Sequence, residues 1–266
     1  MKTSEIIEDA FKYPVSNFKR LVCFGLILLV YVISIRFGFW AFKYSPLYIV
    51  PAALLGLTAL IFTFGYYLRA MKFSLKGENE IPELNDWKEM FKEGIRMIGA
   101  GFLYFLIPGI FIFAVASVAL VSRFQNTFSM WTAVLMIVAA FVYLIVTFLF
   151  MMGLANMAYR GKLEDALSLR QVTDVIKKIG VLRYIMLCII VFLLVGVILV
   201  AACLVNLIPV VGVVITSLFI SSYSNMFQAR AFALIYQEGM QKGSQDADVP
   251  KNGSVTSENS GLEEAI

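Results

Sequence analysis

Residues 184–229 read YIMLCIIVFLLVGVILVAACLVNLIPVVGVVITSLFISSYSNMFQA, a run of 46 residues without a charge. As one helix it would extend roughly 69 Å at 1.5 Å per residue, about twice the ~30 Å hydrocarbon core of a bilayer. The run has to fold back, and Asn206-Leu207-Ile208-Pro209 is where it can. Proline removes a backbone donor and disfavours helix at the residue before it. Two passes follow, Tyr184–Leu204 and Val210–Ile235, joined by a tight neutral turn; one pass plus a re-entrant segment is the alternative.

Working outward, four more apolar stretches have the ~20 residues a crossing needs: Leu21–Phe42, Leu47–Leu68, Ile98–Val121 and Met130–Leu154. Arg36 interrupts the first, close enough to its end to snorkel to the head groups. That stretch begins behind about twenty polar or amphipathic residues and shows no A-x-A site, so it reads as a retained signal anchor rather than a cleaved signal. Sixty per cent of the 266 residues are hydrophobic and 15% charged; soluble domains run at about 45–50% and 25%. With a mean hydropathy of +0.83, the bilayer is the solvent that suits this chain. Cys23, Cys188 and Cys203 all lie inside apolar runs and read as small buried hydrophobes, not as disulfide or metal ligands.

With six spans, nineteen of the 22 basic residues fall on one side, leaving Arg36, Lys43 and Arg123 on the other. The positive-inside bias therefore puts both termini in the cytoplasm. The inner segments carry helical patterning of their own. Leu84, Trp87, Met90, Phe91, Ile95 and Ile98 share one face, opposite Lys88, Glu89, Lys92, Glu93 and Arg96, and Asp86 with Glu89 has capping-box spacing. Leu163, Ala166, Leu167, Val172, Val175, Ile176 and Ile179 repeat the pattern, as do Ile6, Ile7, Ala10 and Phe11 before Pro14. These predict amphipathic helices lying in the head-group layer. The expected fold is all-α and integral to the membrane: six transmembrane helices in three hairpins, each preceded by an interfacial helix on the cytoplasmic side, over residues 1–241. Residues 242–266, rich in Gly, Ser, Asn and acids, are expected to be a disordered tail.

The segment Gly65-Tyr66-Tyr67-Leu68-Arg69, the run from Leu75 to Trp87 (LKGENEIPELNDW) and then Gly94 resemble a known family. They are similar to the archaeal and bacterial membrane proteins of domain-of-unknown-function family forty-thirteen, as are Ile107-Pro108-Gly109 and Arg230-Ala231. The resemblance extends over most of 1–241. The three-hairpin plan is also similar, more distantly, to the membrane domain of glycerophosphodiester phosphodiesterases, whose catalytic domain has no counterpart here. The resemblance implies location and fold and adds no mechanism.

The chemistry is narrowed by exclusion. There is no histidine, and no Asp or Glu lies inside a span. Ser-His pairs, H-E-x-x-H zinc sites and intramembrane carboxylate relays are therefore missing, as is a phosphate-binding G-x-x-x-x-G-K-[ST] loop. No enzyme, cofactor or metal is expected, and without a basic stripe interleaved with aromatics no nucleic acid either. The polar residues of the spans gather at the inner ends of the even helices. Arg69, Tyr66, Asn156, Arg160, Asn225, Gln228 and Arg230 are the candidate ligand or head-group contacts, with Arg230 foremost because it follows the long uncharged run. They could form a pseudo-threefold basic pocket; interhelical hydrogen bonding with arginines anchored at the interface is the plainer alternative. Pro108-Gly109 and Pro209 fit kinks and turns better than the broken helices of a transporter. Trp40, Trp87 and Trp131 read as aromatic-belt anchors. The expected partner is the lipid bilayer, anionic lipids included. A non-enzymatic membrane-organising or complex-assembly component is the first functional expectation; a carrier or channel for a small anionic or lipidic solute is the second.

Overall fold

The computed structural model describes residues 2–124 and 130–248. The outer turn at 125–129 and the tail residues 249–266 lie outside the described residues. The chain is all-helical there. It runs α1 (Thr3–Lys12), α2 (Phe18–Phe42), α3 (Ile49–Leu75), α4 (Trp87–Phe124), α5 (Met130–Arg160), α6 (Leu163–Leu167), α7 (Leu169–Ile179), α8 (Val181–Val205), α9 (Val211–Ile215) and α10 (Ser222–Asp248). Five of these, α2, α3, α4, α5 and α8, are long and apolar enough to cross a membrane. The protein is a multi-pass α-helical membrane protein.

Local chemistry sets the helix ends. Asn17 opens α2, its side chain accepting from the Arg20 N–H at 3.2 Å, which is what an N-cap does. Gly180, at φ +98, makes the corner between α7 and α8, a conformation that costs a Cβ-bearing residue more. The 207–210 turn ends at Val210 with φ +63, an unusual angle for a β-branched residue. Beyond it α9 does not pass directly into α10. Six π-helical residues, Thr216–Ser221, lie between them, and Gly25 of α2 packs against the backbone of Leu218 within that stretch.

The last helix is the hub. Met226, Phe227, Ala229, Ala231, Phe232, Ala233 and Ile235 have no exposed surface, because other helices enclose this stretch of α10. α3, α5, α7, α8 and α1 all touch it. The lateral surface of the outer helices is apolar and open, with Phe39, Ile107, Trp131 and Leu182 each more than 70% exposed. All three tryptophans are exposed. α4 runs through Pro108 without interruption, so that proline does not break the helix.

Several expectations change. The apolar faces of α1 and α7 are covered by protein and not left to the head groups: Ile6, Ala10, Val172, Val175, Ile176 and Ile179 are buried. Phe11 meets Phe227, and Val175 and Ile179 close over Gly239 of α10. The third amphipathic segment is no separate helix but the first turns of α4, whose 38 residues span roughly 57 Å. Its buried side is Met90, Glu93, Gly94 and Met97, while Trp87, Phe91 and Ile95 face outward. Asp86 has φ +50, not the extended angle of an N-cap, and its carbonyl accepts from Arg69 and from the Met90 N–H. Cys188 is buried but Cys203 is exposed on α8, a position an uncharged thiol tolerates against hydrocarbon. The expected last span at Val210–Ile235 is divided by the π-helical stretch, and α10 continues to Asp248.

The reason for the changed α4 face is a reciprocal glycine contact. A methyl group on Gly65 would overlap the Met90 carbonyl, and one on Gly94 would overlap the Ile61 carbonyl. The two backbones touch, the arrangement small residues permit in membrane helices. Gly94→Ala should lower the midpoint of thermal unfolding in detergent, equivalent to about 2 kcal/mol or more. Gly109→Ala, with nothing within 4 Å of the new methyl, should be neutral or slightly stabilising; equal losses in the two would remove the crossing as the cause.

Candidate functional site

The helix crossing delivers the loop between α3 and α4, residues 76–86, into a ring of donors. Arg69 is buried, and one of its terminal nitrogens donates to the Asn85 carbonyl and at 3.2 Å to Asn85 Oδ1, the other to the Asp86 carbonyl at 3.3 Å. Its Nε faces Glu93 Oε2 at 3.5 Å. Arg230 enters from the opposite end of the loop. It donates to the Glu78 carbonyl at 2.7 Å, to Asn79 Oδ1 at 2.8 Å and to Asp9 Oδ2 at 2.8 and 3.2 Å. The guanidinium also lies 5.1 Å from the centre of the Tyr13 ring, within cation–π range. Arg20 is the third clasp, donating to the Ile81 carbonyl at 2.7 Å and pairing with Glu80 and Glu83. Tyr66 donates to the Pro82 carbonyl at 2.7 Å, and Ile81 itself is wholly buried.

Thus three arginines from three helices hold one loop. Arg69 and Arg230 meet on it, 161 residues apart in sequence, whereas Arg160 is elsewhere. No common pocket for all three forms. Arg160 is exposed, beside the Tyr236 hydroxyl. Asn156, buried one turn earlier, donates to the Asp165 carbonyl at 2.7 Å and to Gln171 Oε1 at 3.1 Å, and accepts from Tyr236 at 2.8 Å. Asn225 donates back to the Ser221 carbonyl at the end of the π-helical stretch, and Gln228 is half-buried beside it. The second inner connection is tied as the first is: Arg96 donates to the Gly161 carbonyl and Tyr104 to the Ala166 carbonyl. Burial raises the pKa of Tyr13, with Arg230 acting the other way, and burial raises that of Tyr236, opposed by Arg160. Both hydroxyls stay protonated, and able to donate, throughout the physiological range.

Two carboxylates that sequence reasoning passed over are central here. Glu93 is 4% exposed, between Arg69 and Lys72. Glu238 is 2% exposed, 3.0 Å from Arg183 and 2.9 Å from Lys242. The spacing Arg69…Lys72 and Glu89…Glu93 was visible in sequence, but only the glycine crossing joins them. Among the described residues no three acids or cysteines gather as metal ligands would.

The membrane portion and its inner end hold several hollows among the described residues, three of which are distinguished by their lining. Two are apolar: about 380 Å³ between α2 and α3, at Gly38, Ala52 and Gly56, and about 620 Å³ between α4 and α5, at Ile107, Pro108 and Val146. The third is a cleft of about 660 Å³ where α3 and α5 end, lined by Lys72, Lys76, Tyr159, Arg160, Lys162 and Asp165. Of the residues expected to contact a ligand, only Arg160 opens into that cleft.

A helical chain with five membrane-length apolar rods and a clasped polar loop at their ends defines a multi-pass integral membrane protein. It belongs to the family described as Protein of unknown function (DUF4013), which it matches over residues 47–207. That stretch contains Gly65, Arg69, the 76–86 loop and Gly94. Arg230-Ala231, also part of the resemblance, and α1 lie outside it. No curated protein and no solved structure matches the chain.

Breaking a buried ion pair from one side costs about 3–5 kcal/mol; Asp9 is 38% exposed, so the cost here is discounted. Arg230→Gln should destabilise the purified protein by on the order of 2–3 kcal/mol and raise protease sensitivity in both residues 2–17 and the 76–86 loop. Thermal unfolding and limited proteolysis measure this; unchanged protection of both segments would mean the arginine does not hold them.

Proposed function

We propose that this protein is a non-catalytic organiser of membrane assemblies. It crosses the bilayer six times in three hairpins, the sixth pass formed by α9, the π-helical stretch and the first half of α10. Both termini face the cytoplasm. The observation carrying this reading is that the buried cations at the inner helix ends are already matched within the chain. Arg69 has Glu93 and the loop carbonyls, and Arg230 has Asp9, Asn79 and the Glu78 carbonyl. A carrier for an anion needs a buried charge that the solute itself neutralises, and burying a charge without a partner costs several kcal/mol. Here the charges lock α1, the 76–86 loop and α7 with α10 into one platform at the ends of the spans. The hollows within the spans are apolar and suited to lipid chains. A firm basic platform on greasy helices suits holding partners and lipid in place. The orientation is supported by the basic residues, nineteen of which share the platform side.

Two measurements test it. Glu83→Cys, in a background lacking the native cysteines, should react with an impermeant maleimide in inverted vesicles but not in intact cells, and Tyr44→Cys the reverse. Purified protein in liposomes should add no saturable flux of chloride, phosphate or glycerol phosphate. A saturable flux lost in Arg230→Gln would overturn the organiser reading in favour of transport.

A further inference from the structure

Arg20, Arg69, Arg183 and Arg230 are paired within the chain, whereas the cleft between α3 and α5 gathers cations from two helix ends that are not. Among the described residues no carboxylate lies within ion-pair distance of Lys76, Arg160 or Lys162, although all three line it. Lys72 on its wall is shared with Glu89 and Glu93 at 3.6 and 3.4 Å. The only acid in the lining is Asp165.

Cations at a helix C-terminus often serve its unpaired carbonyls. That role is already filled on α3. The Lys72 and Phe73 carbonyls accept from the Lys76 N–H, and Ser74 from the Gly77 N–H. The Ser74 and Leu75 carbonyls also accept from Gln237 Nε2 at 3.1 and 2.8 Å. Gly161, at φ +91, turns the chain between Arg160 and Lys162, and Arg96 pins its carbonyl at 3.0 Å. The surplus cations thus come from two helix ends and a pinned corner, brought to one hollow. Measured from the expected span ends at Leu68 and Leu154, Lys76 and Arg160 sit about 12 and 9 Å further along their helices, at the outer edge of the head-group layer, which long cationic side chains reach. Tyr159, exposed on the rim, has the aromatic character common at that depth.

We propose that this cleft binds an anionic phosphate group at head-group depth, through Lys76, Arg160 and Lys162. Lipid head groups and soluble phosphates share that chemistry, and the two sources are separable. The proposal rests on the placement of the platform at the membrane surface but not on which side of the membrane it faces. Binding is therefore measured on purified full-length protein in neutral detergent, where a topology error would not affect the result.

The probes are short-chain phosphatidylglycerol, short-chain phosphatidylcholine and inorganic phosphate, with affinities read by native mass spectrometry and by calorimetry. The parent should prefer phosphatidylglycerol to phosphatidylcholine. Lys76→Gln/Lys162→Gln should weaken that binding about thirtyfold, at about one kcal/mol-equivalent step per cation, with an unchanged elution profile and melting midpoint. Both lysines are exposed, and Lys76 Nζ lies 5.7 Å from the centre of the Phe73 ring on its own helix. Lys88→Gln/Lys92→Gln removes the same charge from a separate hollow of about 670 Å³ that also holds Asp86 and Glu89, and should bind as the parent does. If inorganic phosphate binds with the same dependence on the lysine pair and displaces the lipid, the site is a phosphate site with a soluble ligand, and the proposal stands. Equal weakening by the two double variants, or no preference for either anionic probe over phosphatidylcholine, would overturn it.

Discussion

Much of this structure follows from one constraint: a guanidinium withdrawn from water must find acceptors, and it takes backbone carbonyls where it can. Arg69 and Arg230 are almost wholly buried, and between them they take the carbonyls of Glu78, Asn85 and Asp86. A loop with several turn-forming residues (GENEIPELND) is thereby fixed as firmly as a helix. Its interior residue Ile81 is buried with its own carbonyl taken by Arg20 and its N–H by the Ser16 hydroxyl oxygen. The exchange runs both ways. Without the arginines the loop carbonyls would face the core unpaired; without the loop the arginines would carry bare charge.

Backbone contact between α3 and α4 makes that geometry reachable. Gly65 and Gly94 let each helix rest on a carbonyl of the other. This sets Glu93 beside Arg69 and turns Trp87, Phe91 and Ile95 outward. The outward trio continues the apolar surface of α4, so one helix is water-adapted on one side and lipid-adapted on the other from its first turn. In hydrocarbon, helix association gains little from hydrophobicity, and close packing and hydrogen bonds carry it. Glycine contact supplies the first, and the arginine clasps supply the second.

The same logic explains why α10 is central. Its buried residues include Ala229, Ala231 and Ala233 beside Met226, Phe227 and Phe232, and Gly239 lets Val175 and Ile179 of α7 close over it. At its inner end Gln237, Glu238 and Lys242 cap or pair with α3, α7 and α8. Each link joins elements far apart in sequence, so the platform closes only once the last helix is in place. The Lys76–Arg160–Lys162 cleft gathers cations that neither the glycine crossing nor the clasps require.

How much of this was legible beforehand depends on the range of the interaction. Apolar runs long enough to cross a bilayer are a local property, so the helical membrane class, the membrane-length helices and the turn at Pro209 could be read from 20-residue windows. The amphipathic faces of α1 and α7 were readable too; Arg230 stands out in the sequence as a candidate ligand contact, whereas in the structure its donors go to Asp9, Asn79 and the Glu78 carbonyl. What covers those faces was not: an apolar stripe wants cover, and lipid and protein satisfy it equally well on paper. The pairing of Arg69 with Glu93, of Arg230 with Asp9, and the buried side of α4 depend on how two helices cross. That angle is set by which glycines meet, a fact of three dimensions. Composition determined the solvent this protein lives in, because transfer free energy adds up residue by residue; the tertiary structure alone decided which charges are spent and which are free, because Coulomb and hydrogen-bond energies depend on distance.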